Sequence, residues 1–499
     1  MTGAEGADAC DLRAAILAGE RSAAETLEAS LAAIEERDGE LGAFLSVERD
    51  TARARAIELD RRRAADPGAA AGALFGVPVA VKANLCMEGV TTPCGSRMLA
   101  NYRAPYTATC VRRLLDADAI VVGVTNMDEF AMGSSSEHSA FGPTRNPWDL
   151  TRAPGGSSSG SAAAVAAGMV PVALGSDTGG SVRQPAALCG VGGFKPTYGR
   201  VSRHGLIAFG SSLDQVGPLA RSVRDLERIL GVISGHDPLD ATSLPLPPIE
   251  PERPDRPERL DGLRVGVAAE YVGADLDAEV RTAVEAALEK LEELGAEAVE
   301  VRLPHTVHAI PTYYVVATAE ASSNLARFDG VGFGARTEGD GSLQGMFAAT
   351  REGAFGDEVK RRILLGTFVL SEGYHDAWYG RALRVRALLR RDFERAFEKV
   401  DVICGPTSPT PAFPLGERAG DPLAMYASDT LTVPTSLAGL PAVSVPCGFA
   451  SGAADSPLPV GLQIIGPALA DARVLRVAAA FESATEHHRP APTSAGDGR

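Results

Sequence analysis

The 499 residues, 45% of them apolar, supply a sizeable core and fit one large α/β domain as well as several ordinary ones. A formal net charge of −16 argues against a broad nucleic-acid-binding face on this chain, since phosphate contacts need clustered Lys and Arg, so any RNA is expected to be held by a partner. Seven scattered cysteines with no CxxC pair indicate reduced, mostly buried thiols and neither a metal site nor a disulfide framework; with no basic-then-apolar leader and no run near the roughly 18 residues of a membrane span, the expectation is a cytoplasmic protein with no membrane contact.

In chain order, residues 11–37 read as an amphipathic helix, with Leu12, Ile16, Leu27, Leu31 and Ile34 at helical intervals, and residues 52–65 as a second, charged helix. Residues 1–70 are therefore expected to form a helical cover of the core. Residues 74–81 read as a buried strand leading to Lys82, residues 107–117 as a helix and residues 119–124 as a strand. Residues 125–134 form a loop or short helix at a strand's carboxyl end, where ligands gather in α/β sheets. Residues 153–199 then hold two Gly/Ser clusters, one at 155–161 and one at 176–181, bracketing a helix-forming run and a strand-like run. A flexible linker would be polar throughout, so these glycines mark tight backbone positions beside structured elements.

A serine hydroxyl needs a base to become a nucleophile. Of the eight histidines only His138 and His204 flank the clusters, whereas Lys82 ends the apolar run Val77-Pro78-Val79-Ala80-Val81. Burial disfavours its ammonium and yields a neutral amine near neutral pH, which arginine cannot supply. The run Thr178-Gly179-Gly180-Ser181 presents several backbone N–H groups to one point, a fitting oxyanion hole. Residues 156–160 also fit the G-x-S-x-G elbow centred on Ser158, a reading that leaves residues 176–186 unexplained.

The three blocks Gly76-Val77-Pro78-Val79-Ala80-Val81-Lys82-Ala83-Asn84, Gly156-Ser157-Ser158-Ser159-Gly160-Ser161 and Ser176-Asp177-Thr178-Gly179-Gly180-Ser181-Val182-Arg183-Gln184-Pro185-Ala186 resemble those of the amidase signature family. Ser159 stands where the family usually has Gly. The resemblance implies that Ser181 is the nucleophile, Ser157 a bridging serine that relays its proton, and Lys82 the terminal base. In the family a cis non-proline peptide holds that bridging serine, a feature no sequence shows.

Farther on, residues 195–202 and 212–218 continue the resemblance, residues 223–233 read as a helix, and residues 237–262 form a proline-rich surface connector. A strand at 263–267, a helix at 278–294 and a strand at 298–303 make a βαβ unit. Strands follow at 400–404, 440–445 and 460–465, then a closing helix at 471–484 and a frayed tail at 486–499 whose His487 and His488 read as solvated; no metal is expected. The fold class is α/β: residues 71–485 are expected to form one domain of the amidase signature fold, a large mixed β-sheet core covered by helices on both faces.

Residues 313–330, 358–367 and 421–429 resemble the branch of this family formed by the amidase subunits of tRNA-dependent amidotransferases. Such subunits hydrolyse glutamine and pass ammonia to a partner that amidates Glu or Asp misacylated onto tRNA. The implied partners are subunits B and C in a heterotrimer, with misacylated tRNA, ATP and Mg handled by the partner; this chain has no GxxxxGK[ST] loop and is expected to carry no cofactor. A free amino acid needs one fixed cation and one fixed anion. The resemblance places Arg362 on the α-carboxylate and Asp429 on the α-ammonium, with Tyr313 and Ser134 nearby and Arg361 as a substitute for Arg362. A free-standing amidase acting on another primary amide, and an inactive scaffold subunit, are the alternatives.

Overall fold

Unbroken apolar runs such as Val79-Ala80-Val81 and Ile120-Val121-Val122 become strands buried on both faces, the pattern expected of a sheet covered by helices on each side. A computed structural model of the chain describes residues 7–67, 71–250, 259–273, 276–452 and 456–488. Its strands are β1 (Phe44–Val47), β2 (Pro78–Lys82), β3 (Ile120–Thr125), β4 (Val172–Asp177), β5 (Gly192–Lys195), β6 (Gln215–Ala220), β7 (Arg264–Ala268), β8 (Glu297–Val301), β9 (Val402–Pro406), β10 (Ala442–Ser451) and β11 (Pro457–Ile465). They form one 11-stranded sheet in the order β1-β3-β2-β4-β6-β5-β10-β11-β9-β7-β8. β2 runs parallel to β3 and β4, and β7 parallel to β8 and β9; the remaining pairs are antiparallel, so the sheet is mixed.

Successive side chains of a strand point to opposite faces. Val79 and Val81 of β2 accordingly pack into a core beneath the helices Thr109–Asp116 and Val223–Ile233, while Ala80 joins a second core with Leu27, Leu31 and Leu59. The βαβ unit read from the sequence is present: β7, the helix Ala278–Glu293 and the parallel β8, with Arg264 opposite Glu297.

Two expectations for the first 70 residues change. The single helix predicted at 11–37 is two, Ala9–Ala18 and Ala23–Leu41. Gly19 closes the first at φ 77°, and Ser22 opens the second with a reciprocal capping box to Glu25. The segment is also not wholly helical, because β1 pairs antiparallel with β3 at the sheet edge; the charged helix is Arg49–Ala65. In the 237–262 connector, residues 237–250 carry no helix or strand, and residues 251–258 lie outside the described residues, as do residues 489–499 of the predicted tail. His487 is half-buried, its ring 6.4 Å from that of Phe481. Four helices between 309 and 397, for which the sequence reading gave no elements, are Ala309–Asn324, Leu343–Ala354, Asp357–Leu370 and Gly380–Phe397. Among the described residues no helix is long and apolar enough to cross a membrane. All seven cysteines are free and buried.

Candidate active site

Three parallel strands end together. Lys82 is the last residue of β2, Thr125 of β3 and Asp177 of β4, and the helix Ser159–Ala166 starts beside them. The chain enters that helix through a cis peptide between Gly156 and Ser157. Lys82 Nζ lies 2.8 Å from Ser157 Oγ, 2.9 Å from Ser158 Oγ and 2.9 Å from Ser176 Oγ, and donates to the Ser176 carbonyl at 3.3 Å. The side chain is wholly buried, and that burial pushes the Lys82 amine down to about 7, against a weaker upward pull from Asp128. A neutral amine is therefore accessible near neutral pH.

Ser158, the centre of the G-x-S-x-G alternative, is taken up by structure. Its hydroxyl donates to the Ser176 carbonyl at 3.2 Å and accepts from the Ser176 N–H at 3.2 Å, and it has no exposure. Ser181 lies on the next turn, 8% exposed, with its carbonyl accepting from the Ser158 N–H at 3.1 Å. The Ser181 hydroxyl has no hydrogen-bond partner among the described residues, so the Lys82–Ser157 half of the predicted relay is joined by a hydrogen bond and the Ser157–Ser181 half is not. Ser159 Oγ is buried without a partner among the described residues, at the position where a glycine is usual in the resembling block.

The turn 178–181 is pinned from both ends. Arg183 forms a bidentate ion pair with Asp177, Nε to Oδ2 at 2.9 Å and Nη2 to Oδ1 at 3.0 Å, and both side chains are fully buried. Burial acts against the Asp177 carboxylate, but Arg183 holds its pKa below the ordinary range. Arg183 also donates to the Thr432 carbonyl and to Gln463 Oε1, tying the turn to the far half of the sheet. Thr178 Oγ1 donates to Asp214 at 2.7 Å, and the Gly179 carbonyl accepts from Thr432 Oγ1 at 2.7 Å. With these groups engaged, the N–H groups of Thr178, Gly179, Gly180 and Ser181 have no partner among the described residues. Gly180 has φ 151°, and a Cβ there would sit 2.2 Å from Thr432 Oγ1; a Cβ on Gly179 would meet the Tyr313 ring at 2.8 Å. Glycine is what lets the turn approach both.

Tyr313 thus stands against the turn, delivered by the helix Ala309–Asn324. Its neighbour Tyr314 stacks on Tyr426 at 3.7 Å between centroids, and the Arg362 guanidinium lies 5.1 Å from the Tyr314 ring and 5.5 Å from that of Phe209. Arg362 is buried; Glu358, one turn earlier on the same helix, accepts from its Nε at 2.7 Å and from the Tyr426 hydroxyl at 2.8 Å. That leaves the two terminal nitrogens of Arg362 without a partner among the described residues. Arg361 is half-exposed and binds the other oxygen of Glu358. Asp429 is buried and accepts from Ser134 Oγ at 2.6 Å, and burial pushes its carboxyl up to about 7, with Arg362 pulling the other way. The fold therefore brings Ser134, Tyr313, Arg362 and Asp429 to one region. Sequence reasoning missed Glu358, although its i,i+4 spacing to Arg362 was legible, and missed the buried Asp177–Arg183 pair.

A family model described as Amidase matches residues 25–475. The A subunit of glutamyl-tRNA(Gln) amidotransferase from Moorella thermoacetica is 57% identical over 475 residues, 95% of each chain. The protein of the same name from Halalkalibacterium halodurans is 54% identical over 95% of this chain and 96% of its own. The crystal structure of the Thermotoga maritima glutamyl-tRNA(Gln) amidotransferase A subunit superposes with a TM-score of 0.77 at 43% identity, covering 94% of both chains.

Proposed function

The chain belongs to the amidase signature family, and from that premise we propose that it is the glutamine-hydrolysing subunit of a tRNA-dependent amidotransferase. The observation that carries the chemistry is the wholly buried Lys82, 2.8 Å from Ser157 and beside a turn whose N–H groups are free. In this reading Ser181 Oγ attacks the side-chain amide carbon of glutamine as its proton passes to Ser157, whose own proton passes to the neutral Lys82 amine. Catalytic hydrogen bonds often form or tighten only when substrate binds, and in this reading the Ser157–Ser181 hydrogen bond forms at that stage. The N–H groups of residues 178–181 receive the oxyanion. Collapse breaks the C–N bond, Lys82 returns the proton through Ser157 to the leaving nitrogen, and ammonia departs. Water then cleaves the Ser181 ester by the same route and releases glutamate.

The free nitrogens of Arg362 take the α-carboxylate as a bidentate fork, and Asp429, oriented by Ser134, takes the α-ammonium, with Tyr313 closing the wall. The ammonia serves subunits B and C, which bind the misacylated tRNA and use ATP with Mg; the complex works in the cytoplasm. Rapid quenching with glutamine, followed by mass spectrometry of the peptide spanning residues 157–183, tests the assignment. A glutamyl ester on Ser181 is the expected product, and an ester on Ser158 would overturn the choice of nucleophile.

A further inference from the structure

The two halves of the site are joined by a side chain that takes no part in the steps above. Gln184 stands in the first turn of the helix Arg183–Cys189, directly after the turn that carries Ser181, and its own N–H donates to the Gly180 carbonyl at 2.8 Å. Its side-chain amide has no exposure. Oε1 accepts from the Gly156 N–H at 2.9 Å, and Nε2 donates to the Ser134 carbonyl at 3.0 Å. The orientation of the amide follows from those partners, because a backbone N–H only donates and a carbonyl only accepts.

Each partner leads to a different task. Gly156 is joined directly to Ser157, whose hydroxyl faces Lys82. The two glycines there leave no room for a side chain: a Cβ on Gly155 would meet Gln184 Oε1 at 2.5 Å, and one on Gly156 would meet Asp128 Oδ2 at 2.1 Å. Asp128 in turn accepts from the N–H groups of Ser136 and His138, so the entry to Ser157 is clamped between Gln184 and the loop 128–138. Ser134 belongs to that same loop, and its hydroxyl donates to Asp429 at 2.6 Å. Filling the space would need only an apolar side chain of similar length, but an apolar end would leave the Gly156 N–H and the Ser134 carbonyl buried without this partner. An uncharged amide of this length serves both at once.

We infer that Gln184 is a positioning residue for both reaction and recognition: through Gly156 it sets the place of the relay serine Ser157, and through Ser134 it aims Asp429 at the α-ammonium of glutamine. The inference rests on the function proposed above. One amide thereby registers the grip on the amino acid against the proton relay, and its backbone ties both to the turn that carries Ser181.

The test is steady-state ammonia release by the full chain assembled with its partner subunits, as wild type, Gln184→Met, Gln184→Glu, Ser134→Ala and the double variant of Gln184→Met with Ser134→Ala. The substrates are glutamine and 4-carbamoylbutanoate, which lacks the α-ammonium. Gln184→Met should lower kcat for both substrates by ~10²-fold, the scale of a displaced catalytic group. It should raise KM about tenfold for glutamine alone, the scale of a lost hydrogen bond. The KM penalties of Gln184→Met and Ser134→Ala should fail to add in the double variant, since both act through Asp429. Gln184→Glu keeps an acceptor for Gly156 and should recover kcat to within about tenfold of the wild type. Wild-type kinetics in a Gln184→Met variant that folds and assembles would overturn the inference and leave the proposed function standing. So would an equal rise in KM for both substrates with kcat unchanged, the mark of general loosening. A ~10²-fold kcat loss in Gln184→Glu would overturn it too, and is the deciding result where Gln184→Met does not fold. A wild-type complex that releases no ammonia from glutamine would overturn the function itself, and the inference with it.

Discussion

At the scale of residues, the decisive group is Lys82. Its free amine is the proposed base, and burial lowers its pKa to about 7, below the ordinary lysine value. The active form is therefore the deprotonated one, and kcat/KM should rise with pH through about 7 and fall below it; a profile flat from pH 5 to 9 would remove Lys82 from the role. Lys82→Arg should lose ~10²–10⁴-fold in kcat at every pH in that range, because a guanidinium stays protonated. Glu358 gives a second test. It holds Arg362 by Nε and leaves the terminal nitrogens free, so Glu358→Gln should raise KM for glutamine by about ten- to hundredfold, the range of a charge-assisted hydrogen bond. Its kcat should change little, and turnover of an amide that lacks an α-carboxylate should be unaffected. The residues Lys82, Ser157 and Ser181 were legible because three separate blocks carry them in order. The spacing of Glu358 to Arg362 was legible but its role was not, since one acid in a charged helix looks like any solvated neighbour until Tyr426 and Arg362 are seen to converge on it.

At the scale of elements, the site depends on how tightly the turn 178–181 and two helices are held. Arg183→Met leaves Asp177 as a buried, uncompensated carboxylate, a change that costs about 3–5 kcal/mol. Chemical denaturation should show that loss together with loss of activity. Gly366→Ala forces apart the helices that carry Arg362 and Tyr313, and overpacking of that kind costs about 1–3 kcal/mol; its expected signature is a raised KM with a lowered melting midpoint. Strands β2, β3 and β4 could be read from sequence because each is an unbroken apolar run next to a recognisable turn. The break at Gly19 was also written there, as a glycine followed by Ser22 with Glu25 three residues on, but the apolar spacing of 11–37 masked it. The helix Ala309–Asn324 was harder, since it spreads Tyr313, Val316 and Ala317 over a broad buried surface and leaves no clean amphipathic stripe.

At the scale of the whole molecule, the sheet joins what the sequence keeps far apart. β5 pairs with β10 from some 250 positions later, and Arg183 reaches Gln463 across the same seam. A mixed sheet with helices on both faces was legible from the alternation of elements, but its strand order was not, because such pairings are set by tertiary packing and leave no local pattern. The site draws on both halves of that order, with Lys82 and Ser181 from one and Arg362 and Asp429 from the other, so catalysis and glutamine recognition should be lost together when the chain unfolds. Hydrolysis of glutamine at Ser181 is the reaction proposed for this chain. It is tested most directly by ammonia release from glutamine by the chain assembled with its partner subunits, wild type against Ser181→Ala. Sustained release by the wild type is expected, with background release by a variant that still folds and assembles. Undiminished release by Ser181→Ala would contradict it.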